Sequence, residues 1–427
     1  MGKTKIVCTL GPATSDAPTI RGLIEAGMSV ARINASHGSP TEWEHYINLV
    51  REAEKEFDNS VSILFDLQGP EIRTTSLDSP LQLDPGDLVK FVEGQGSSPL
   101  TIGTSHPLTG VSVGDNILLD DGKIETTIVE LAQNSVIAKV IAGGELTSQK
   151  GISIPGVRLN LDSVTEKDHK DLEFISSQNV DFIAASFIRS AADILSVRSS
   201  MENFNLDIPI IAKIERSDSL AELDSIIEIS YGIMIARGDL GVECPLQEVP
   251  LIQKRIIHKC IDSGVPVITA TEMLESMVTS PRPTRAEASD VANAVLDGTD
   301  AVMLSGETAI GIDPIGVVKT MNGIISEVES SDEYATLLEQ RVSSIVSSNT
   351  GALSRSARYL ARDIGASAII VVSDSGYTAL KTSKFRPSVP IFAVLPSDNL
   401  CRRLSLSWGV SAKQGLLPNE QTFEITN

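Results

Sequence analysis

The sequence predicts an α/β fold: a (β/α)8 TIM barrel with an inserted small β-barrel lid domain and a short C-terminal α/β domain. Three observations support this prediction. Eight short runs are rich in Val and Ile, stretches with helical spacing separate most of them, and one interruption is far longer than an ordinary connection. Eight strands alternating with helices are the number that a (β/α)8 barrel requires.

The eight apolar runs are the predicted barrel strands. They cover residues 5–10, 29–36, 62–69, 181–187, 209–215, 231–239, 265–271 and 301–305. Thr284 and Glu287 form a Ser/Thr-x-x-Glu capping box, which predicts the start of a helix that continues through Val295. The eighth helix is expected to end near Glu329.

The long interruption lies between the third and fourth predicted strands and has roughly ninety residues, whereas most connections have about 4–6. It contains four short alternating runs, 87–93, 113–119, 123–130 and 135–141, separated by turn sequences. We expect residues 71–157 to form a small antiparallel β-barrel that serves as a lid over the active-site face. A decorative insertion is the alternative. The barrel would then comprise residues 1–70 and 158–332.

Residues 333–427 predict a further α/β unit. Its two clear strands are 366–373 and 389–395, and helical stretches cover 347–364, 378–384 and 399–405. Such a unit normally continues beyond two strands. We therefore expect this domain to be small or incomplete at Asn427.

Composition and charge indicate a soluble intracellular enzyme. The 427 residues are 41% hydrophobic, and the four cysteines lack both CxxC motifs and metal-ligand spacing to the five histidines, which predicts reduced core thiols. The first residues run directly into a strand without a signal-peptide apolar region, and no run resembles a membrane span. A formal net charge of −21 opposes binding to nucleic acid or an anionic membrane. We expect a cytoplasmic protein.

Cationic side chains lie at or just beyond several predicted strand ends. They are Arg32, Arg73, Lys213 and Arg237. Because guanidinium groups match phosphate oxygens, phosphate is the expected ligand of such a cluster. Lys213 also alternates with Glu215 on one strand, and a cation beside a metal-binding acid at a strand end is typical of barrel active sites. A structural salt bridge explains one such pair equally well.

Several longer motifs resemble the pyruvate kinase family. They are KIVCTLGP (5–12), GPEIR (69–73), ARGDLGVE (236–243), MLESM (273–277), PRPTRAE (281–287) and the run 290–308, which contains LSGET. The resemblance extends from Lys3 to about Trp408. It implies a barrel with a lid and a C-terminal α/β domain, and glycolytic phosphoryl transfer from phosphoenolpyruvate to ADP, giving pyruvate and ATP. It also implies a homo-oligomer, which is a tetramer in the family.

The resemblance assigns the metal and the transferring phosphoryl group to strand-end residues. Glu215 and Asp239 are expected to hold Mg²⁺ or Mn²⁺, ions that prefer oxygen ligands. Lys213 is expected to stabilise charge on the transferring group, and Arg32 to bind it. Arg73 is a further expected catalytic cation.

The resemblance also assigns the substrate carboxylate and the proton transfer. Thr271 is expected beside the carboxylate and near the carbon that receives the proton, with Ser305 and Glu307 in a relay. The backbone amides of Gly238 and Asp239 are expected to meet the carboxylate, because a helix start favours an anion.

Monovalent-cation and nucleotide sites follow from the same resemblance. The expected K⁺ ligands are the side chains of Asn34, Ser36 and Asp66 and the carbonyl of Leu67. The expected nucleotide contacts are Asn34, His37 and the lid residue Lys150. From the residues alone, a polar strand end that begins a cap is the favoured interpretation of Asn34 and Ser36.

The sequence departs from the family pattern after the third strand. The family motif often reads Asp-Thr-Lys-Gly-Pro-Glu, whereas Leu67 and Gln68 precede the glycine here. In the family, Glu71 accompanies K⁺ dependence, while a leucine and a glutamine usually accompany a lysine at that position. We give Glu71 the greater weight and expect K⁺ dependence. Ala35 replaces a usual phenylalanine, and Glu272 replaces a usual glutamine.

One loop resembles the start of the family's effector site. Its residues are Ser373, Ser375, Gly376 and Thr378. We expect weak phosphate binding there, since the other half of that site is missing from this sequence. A simple strand-to-helix turn is the alternative.

Two other functions remain open at this stage. One is a Mg²⁺-dependent lyase or aldolase of the pyruvate and phosphoenolpyruvate barrel group, and the other is a non-catalytic regulatory relative. The lid and Lys213 oppose the first, and the intact strand-end residues oppose the second.

Overall fold

The computed structural model describes residues 2–57, 60–96, 100–157, 161–340 and 348–415. The first barrel strands are β1 (Lys5–Thr9), β2 (Met28–Asn34) and β3 (Ser62–Asp66), with α1 (Ala17–Ala26) and α2 (Pro40–Glu54) between them. Asp16 caps α1 by accepting a hydrogen bond from the Thr19 N–H. The helix ends at Gly27, whose φ of 125° favours glycine.

The insertion after β3 forms the lid. Its strands are β4 (Leu81–Leu83), β5 (Leu88–Glu93), β6 (Thr101–Thr104), β7 (Asn116–Leu119), β8 (Ile124–Ala132), β9 (Ser135–Ala142), β10 (Gly144–Leu146) and β11 (Ile152–Ser153). Six form one sheet in the order β11-β7-β8-β9-β5-β6, and β4 pairs with β10. Both sheets share one hydrophobic core.

Two details of the lid prediction were wrong. The sheet is mixed rather than antiparallel throughout, because β5 and β6 pair in parallel. The sequence also missed β4, β6, β10 and β11. Each of these has only two to four residues, which is too short for an alternating pattern to appear.

The second part of the barrel alternates strands with helices. The strands are β12 (Phe182–Ala185), β13 (Ile210–Ile214), β14 (Gly232–Ala236), β15 (Val267–Ala270) and β16 (Ala301–Leu304). The helices are α3 (Glu166–Ile175), α4 (Ala191–Glu202), α5 (Leu223–Ile229), α6 (Arg237–Glu243), α7 (Val249–Ser263), α8 (Arg285–Asp297), α9 (Gly306–Ala309) and α10 (Pro314–Glu329). The predicted capping box of Thr284 and Glu287 begins α8, and α10 ends at Glu329 as predicted.

The predicted sixth strand was too long. The strand β14 ends at Ala236, and Arg237, Gly238 and Asp239 form the first turn of α6. An acidic residue in a first helical turn interacts favourably with the helix dipole. The period-two argument therefore applies to Lys213 and Glu215 but not to Arg237 and Asp239.

The eight barrel strands close in the order β1-β16-β15-β14-β13-β12-β3-β2, and all pairs are parallel. Leu64, Phe182, Met234 and Ile268 pack inside the barrel. Because the strands are parallel, their carboxyl ends meet at one face, where barrel enzymes place their active sites. In the described ranges, no helix combines the length and hydropathy needed to cross a bilayer.

The C-terminal unit contains α11 (Asp332–Gln340), α12 (Asn349–Asp363), β17 (Ile369–Val372), α13 (Tyr377–Lys384), β18 (Ile391–Leu395), α14 (Asp398–Arg403) and β19 (Val410–Gln414). The sequence predicted only two strands and missed β19, which has a single large apolar residue, Val410. The three strands are parallel. Residue 347, where we expected a helix to begin, and residues 416–427 of the predicted domain lie outside the described ranges.

Candidate active site

Asp66 at the end of β3 contacts two of the predicted catalytic cations, Arg32 on the neighbouring strand β2 and Lys213 on β13, which lies two strands away. Its Oδ2 accepts hydrogen bonds from Arg32 Nε at 2.8 Å and Nη2 at 2.7 Å, and its Oδ1 lies 3.3 Å from Lys213 Nζ. Burial alone would raise the pKa of Asp66, but the charges of Lys213 and Arg32 hold it below its ordinary value. Arg32 and Lys213 are thus held together as a cationic pair around one ionised carboxylate.

Lys213 is fully hydrogen-bonded in this arrangement. Its ammonium group donates to Ser186 Oγ at 2.7 Å, to Glu215 Oε1 at 2.8 Å and to Asp66 Oδ1 at 3.3 Å. Burial lowers the pKa of Lys213, but Asp66 and Glu215 outweigh this effect and raise it. Lys213 is therefore a permanent positive charge at the mouth of the barrel.

Glu215 and Asp239 lie on consecutive barrel units. Glu215 is almost completely buried, whereas Asp239 keeps a solvent-exposed surface. Oε2 of Glu215 accepts a hydrogen bond from the Phe187 N–H at 2.6 Å, and Phe187 has a φ of 56°, which is unfavourable for a bulky residue. Burial and the nearby charges of Glu215 and Glu71 raise the pKa of Asp239 to about 7, although Lys213 opposes the shift. Two carboxylates that repel each other in this way suit a divalent cation.

A metal ion would need further ligands from outside the protein. Among the described residues, no group of three or more His, Cys, Asp or Glu side chains has metal-binding geometry. Glu215 and Asp239 are hard oxygen donors, which fits Mg²⁺ or Mn²⁺. Mg²⁺ is usually bound by one or two carboxylates, with water and substrate phosphates completing its coordination, so the pair matches this donor set.

Thr271 lies in a strained turn immediately after β15. It has a φ of 64° and the next residue, Glu272, has a φ of 54°, although both are L residues. Oγ1 of Thr271 accepts a hydrogen bond from the Gly238 N–H at 2.9 Å and donates to the Ala270 carbonyl at 2.7 Å. The hydroxyl and the amide that we expected beside the substrate carboxylate are therefore adjacent, and they bond to each other.

Arg237 stabilises this turn, whereas we had expected it to belong to a phosphate-binding cluster. Its guanidinium donates to the carbonyls of Thr271 at 2.7 Å and Glu272 at 3.2 Å, and it forms an ion pair with Asp290 at 2.7 Å. Arg237 directly follows β14, as predicted, but these contacts already occupy its guanidinium group.

Glu307 is completely buried. Its carboxylate accepts hydrogen bonds from the backbone N–H groups of Ser305 at 2.6 Å and Leu274 at 3.0 Å. It therefore connects the loops after β15 and β16 and has no exposed oxygen for a proton relay. Ser305 itself lines an open cavity beside Arg32.

The predicted K⁺ ligands lie at the ends of β2 and β3. Asn34 and Asp66 are register partners, and Asn34 Oδ1 accepts a hydrogen bond from the Ser36 N–H at 3.1 Å. The Leu67 carbonyl accepts a hydrogen bond from Ser186 Oγ at 2.7 Å. The donor set is entirely oxygen, as an alkali cation requires, but the Asp66 carboxylate already serves Arg32 and Lys213. The bond from the Ser36 N–H to Asn34 also has the geometry of a cap, which was the alternative interpretation of Asn34 and Ser36.

Arg73 lies at the entrance to the lid, where it forms a β-bridge with Gly151. Its guanidinium pairs with Glu71 at 2.7 Å and donates to the Gln149 carbonyl at 3.0 Å. Burial raises the pKa of Glu71, and Arg73 partly offsets this effect. The charge of Glu71, which we expected a K⁺ ion to balance, is thus already paired with Arg73.

The predicted nucleotide residues occupy two separate places. Asn34 and His37 line a cavity of about 450 Å³ together with Arg32 and Ser305. Lys150 lies in the lid instead, where its ammonium pairs with Asp120 at 2.7 Å. Lys150 is therefore not at the cavity in this conformation.

Comparison with known proteins agrees with this geometry. Residues 1–318 match the model described as pyruvate kinase, barrel domain, and residues 351–422 match pyruvate kinase, alpha/beta domain. The chain belongs to the pyruvate kinase family. It is 47% identical over 419 residues to a pyruvate kinase from Geobacillus stearothermophilus, which covers 96% of this chain and 71% of the relative. For the Bacillus licheniformis pyruvate kinase, the identity is 46% over 422 residues, covering 97% of this chain and 72% of the relative.

A solved structure extends this comparison to the fold. The crystal structure of a pyruvate kinase from Cryptosporidium parvum has a TM-score of 0.92 and 38% sequence identity to this chain. The match covers 97% of this chain and 87% of that one. The barrel, lid and C-terminal α/β domain are thus the architecture of the pyruvate kinase family.

The effector-like loop has the geometry of a helix start. Ser373 Oγ accepts a hydrogen bond from the Gly376 N–H at 3.0 Å, and Gly376 begins α13 with a φ of 83°. Ser375 Oγ lies 3.5 Å from the Tyr377 N–H, and Thr378 lies in the first turn of the helix. The hydroxyl of Ser373 is thus used within the loop, as in the simple-turn alternative.

Sequence reasoning missed Ser186, which lies directly after β12. It is almost completely buried, and its hydroxyl contacts both Lys213 and the Leu67 carbonyl. A polar residue at the end of an otherwise apolar strand is the same signal that identified Lys213. It could have identified Ser186.

Proposed function

We propose that this chain transfers the phosphoryl group of phosphoenolpyruvate to ADP and protonates the resulting enolpyruvate, giving pyruvate and ATP. The observation that carries this proposal is the buried arrangement of Lys213, Arg32 and Asp66 beside the carboxylates of Glu215 and Asp239. Phosphoryl transfer passes through a loose, highly charged state, so positioning and charge neutralisation are the main tasks of the protein. Membership of the pyruvate kinase family supports the same reaction.

Arg32 and Lys213 would hold the transferring group. Both are already oriented by Asp66, so little reorganisation is needed when an anion arrives. Lys213 would exchange its longest bond, the 3.3 Å contact with Asp66, for a phosphoryl oxygen. Glu215 and Asp239 would hold Mg²⁺ or Mn²⁺, which supplies positive charge to the phosphoryl and enol oxygens when bound.

Thr271, Gly238 and Asp239 would bind the substrate carboxylate. The Gly238 N–H and the Thr271 hydroxyl bond to each other, so a carboxylate would replace that bond with its own oxygens. The buried carboxylate of Glu307 would hold the two loops in position. We therefore place Ser305, rather than Glu307, at the open side of the proton relay.

The nucleotide would occupy the cavity lined by Asn34, His37 and Ser305. Lys150 would join its phosphates only after the lid moves and the ion pair with Asp120 breaks. Arg73 would also act from the lid side. A K⁺ ion bound by Asn34, Ser36, Asp66 and Leu67 would complete the cofactor set.

Several broader properties belong to the same proposal. They are a cytoplasmic location, a homo-oligomer as in the family, no nucleic-acid or membrane partner, and a lid domain over residues 71–157 between the two barrel parts. The lyase and the non-catalytic alternatives are not favoured, because the chain matches the pyruvate kinase family over nearly its full length.

The test is a direct assay of phosphoryl transfer. The purified chain is mixed with phosphoenolpyruvate, ADP, Mg²⁺ and K⁺, and ATP and pyruvate are measured together. We expect equal amounts of both products. Pyruvate or free phosphate without ATP would indicate a different reaction.

A further inference from the structure

Ser186 lies between two parts of the proposed active site. Its Oγ is 2.7 Å from Lys213 Nζ and 2.7 Å from the carbonyl oxygen of Leu67. Only 4% of the residue is exposed. Lys213 would contact the transferring phosphoryl group, whereas the Leu67 carbonyl would contact the monovalent cation. One hydroxyl therefore connects the two.

The directions of both hydrogen bonds follow from the chemistry of the partners. An ammonium group can only donate, so Ser186 Oγ accepts from Lys213. A carbonyl oxygen can only accept, so the single Ser186 proton is directed at Leu67. Ser186 Oγ also lies 3.5 Å from Asp66 Oδ1, which is a much longer contact than the 2.7 Å to Leu67, so the carbonyl is the preferred acceptor. The hydroxyl group satisfies both neighbours at once, whereas the methyl group of an alanine would satisfy neither.

The backbone around Ser186 restricts its movement. The next residue, Phe187, has a φ of 56° and donates its N–H to Glu215. On the other side, Gly69 packs so closely that a Cβ there would lie 2.9 Å from the Ser186 Cβ. The hydroxyl is thus fixed between Glu215, Lys213 and the segment that follows β3.

We propose that Ser186 is a positioning residue that fixes the Lys213 ammonium relative to the Leu67 carbonyl and so couples the monovalent-cation site to phosphoryl transfer. The inference rests on the proposed function. It adds Ser186 as a positioning residue and a path by which the bound monovalent cation can increase the rate of phosphoryl transfer. A coupling of this kind is reciprocal for binding, so a change at Ser186 affects both sites.

The test compares Ser186→Ala with the wild-type enzyme. We expect kcat to fall by about 10- to 100-fold, as is typical when a residue that orients an active-site ligand is removed, with KM for phosphoenolpyruvate changed by less than about threefold. Ser186→Thr keeps the hydroxyl and should restore much of kcat. Ser186→Cys keeps the volume but donates weakly, so it provides the same comparison if the alanine variant folds poorly.

A second readout does not depend on activity. The melting temperature is measured against K⁺ concentration, with tetramethylammonium holding the ionic strength constant. We expect the K⁺ concentration for half-maximal stabilisation to rise about tenfold in Ser186→Ala, since the Leu67 carbonyl loses the bond that orients it. The matched control is Ser230→Ala, another buried serine, whose hydroxyl donates to the Ile226 carbonyl of a helix at 2.7 Å. It should leave the K⁺ response unchanged.

A double-mutant cycle completes the test. If Ser186 acts through Lys213, Ser186→Ala should cause little further loss of rate in a Lys213→Met background. An unchanged kcat, or a K⁺ response equal to that of the wild type, would overturn the proposal. A wild-type chain that makes no ATP would instead contradict the proposed function, while the melting experiment would still test the connection between Ser186 and the cation site.

Discussion

Replacing Lys213 with methionine tests both the chemistry and the electrostatics of the site. The sequence alone suggests that this variant loses turnover but keeps its fold. The structure adds a cost, because Lys213 balances two nearly inaccessible carboxylates, Asp66 and Glu215. Asp66 retains Arg32, whereas Glu215 retains, among the described residues, the Phe187 N–H as its hydrogen-bond donor.

The size of both effects can be derived from these contacts. Removing one partner of a buried ion pair typically destabilises a protein by about 3–5 kcal/mol, and Arg32 keeps the expected loss near the lower value. Loss of a donor aimed at transition-state charge reduces kcat by about 10²–10³-fold, and the full positive charge of Lys213 places our expectation at or above the upper value. Mg²⁺ should restore part of the lost stability, because its charge replaces that of Lys213 beside Glu215.

The assays are steady-state ATP formation and thermal melting with and without Mg²⁺. The control is Lys259→Met, which removes an ammonium from an exposed ion pair with Asp224 and should change stability by less than about 1 kcal/mol. Near-normal turnover in Lys213→Met would refute the role of this residue in phosphoryl transfer. Unchanged stability in the absence of Mg²⁺ would refute the electrostatic argument.

Three further predictions concern K⁺, effectors and pH. Activity should require K⁺, and Glu71→Lys should remove this requirement, although the variant also loses the lid ion pair with Arg73. Equal rates of the wild type with and without K⁺ in tetraalkylammonium buffer would contradict this prediction. The phosphoenolpyruvate concentration for half-maximal rate should hardly change with fructose bisphosphate, AMP or sugar monophosphates, because the Ser373 hydroxyl of the loop 373–378 is used within the loop. A several-fold decrease in that concentration would contradict this prediction. Burial lowers the pKa of Lys5 from 10.5 to about 8 despite Glu329. The folded state therefore loses this proton before the unfolded chain does. As the pH increases from about 8 to 10.5, the free energy of unfolding of the wild type should rise relative to that of Lys5→Met by up to about 3 kcal/mol.

Much of the barrel could be predicted because its signals are local. Each buried barrel strand is a short run of mainly apolar residues, and the capping box at Thr284 is complete within four residues. The polar residues near the ends of these strands indicated Lys213, Glu215 and Arg32, and the family resemblance added Asp66. Because the barrel strands are parallel, these residues could be predicted to lie at one face even though their individual contacts could not.

The remaining features depend on contacts between distant residues. Nothing in the sequence indicates that Arg237 pairs with Asp290, or that Glu307 bonds to the amide of Leu274. The pairing of Glu71 with Arg73 is close in sequence, but its effect on the K⁺ argument depends on the fold of the lid entrance. The very short strands and β19 were not predicted for a simpler reason, because they contain too few apolar residues to show an alternating pattern.

The central claim is transfer of the phosphoryl group from phosphoenolpyruvate to ADP, and ³¹P nuclear magnetic resonance follows that atom directly. With the purified chain, Mg²⁺ and K⁺, the phosphoenolpyruvate signal should disappear as the γ-phosphate signal of ATP grows in equal amount. The transfer should stop when Mg²⁺ is chelated and be lost in Lys213→Met. A phosphoenolpyruvate signal that persists, or that converts to inorganic phosphate without ATP, would contradict the account.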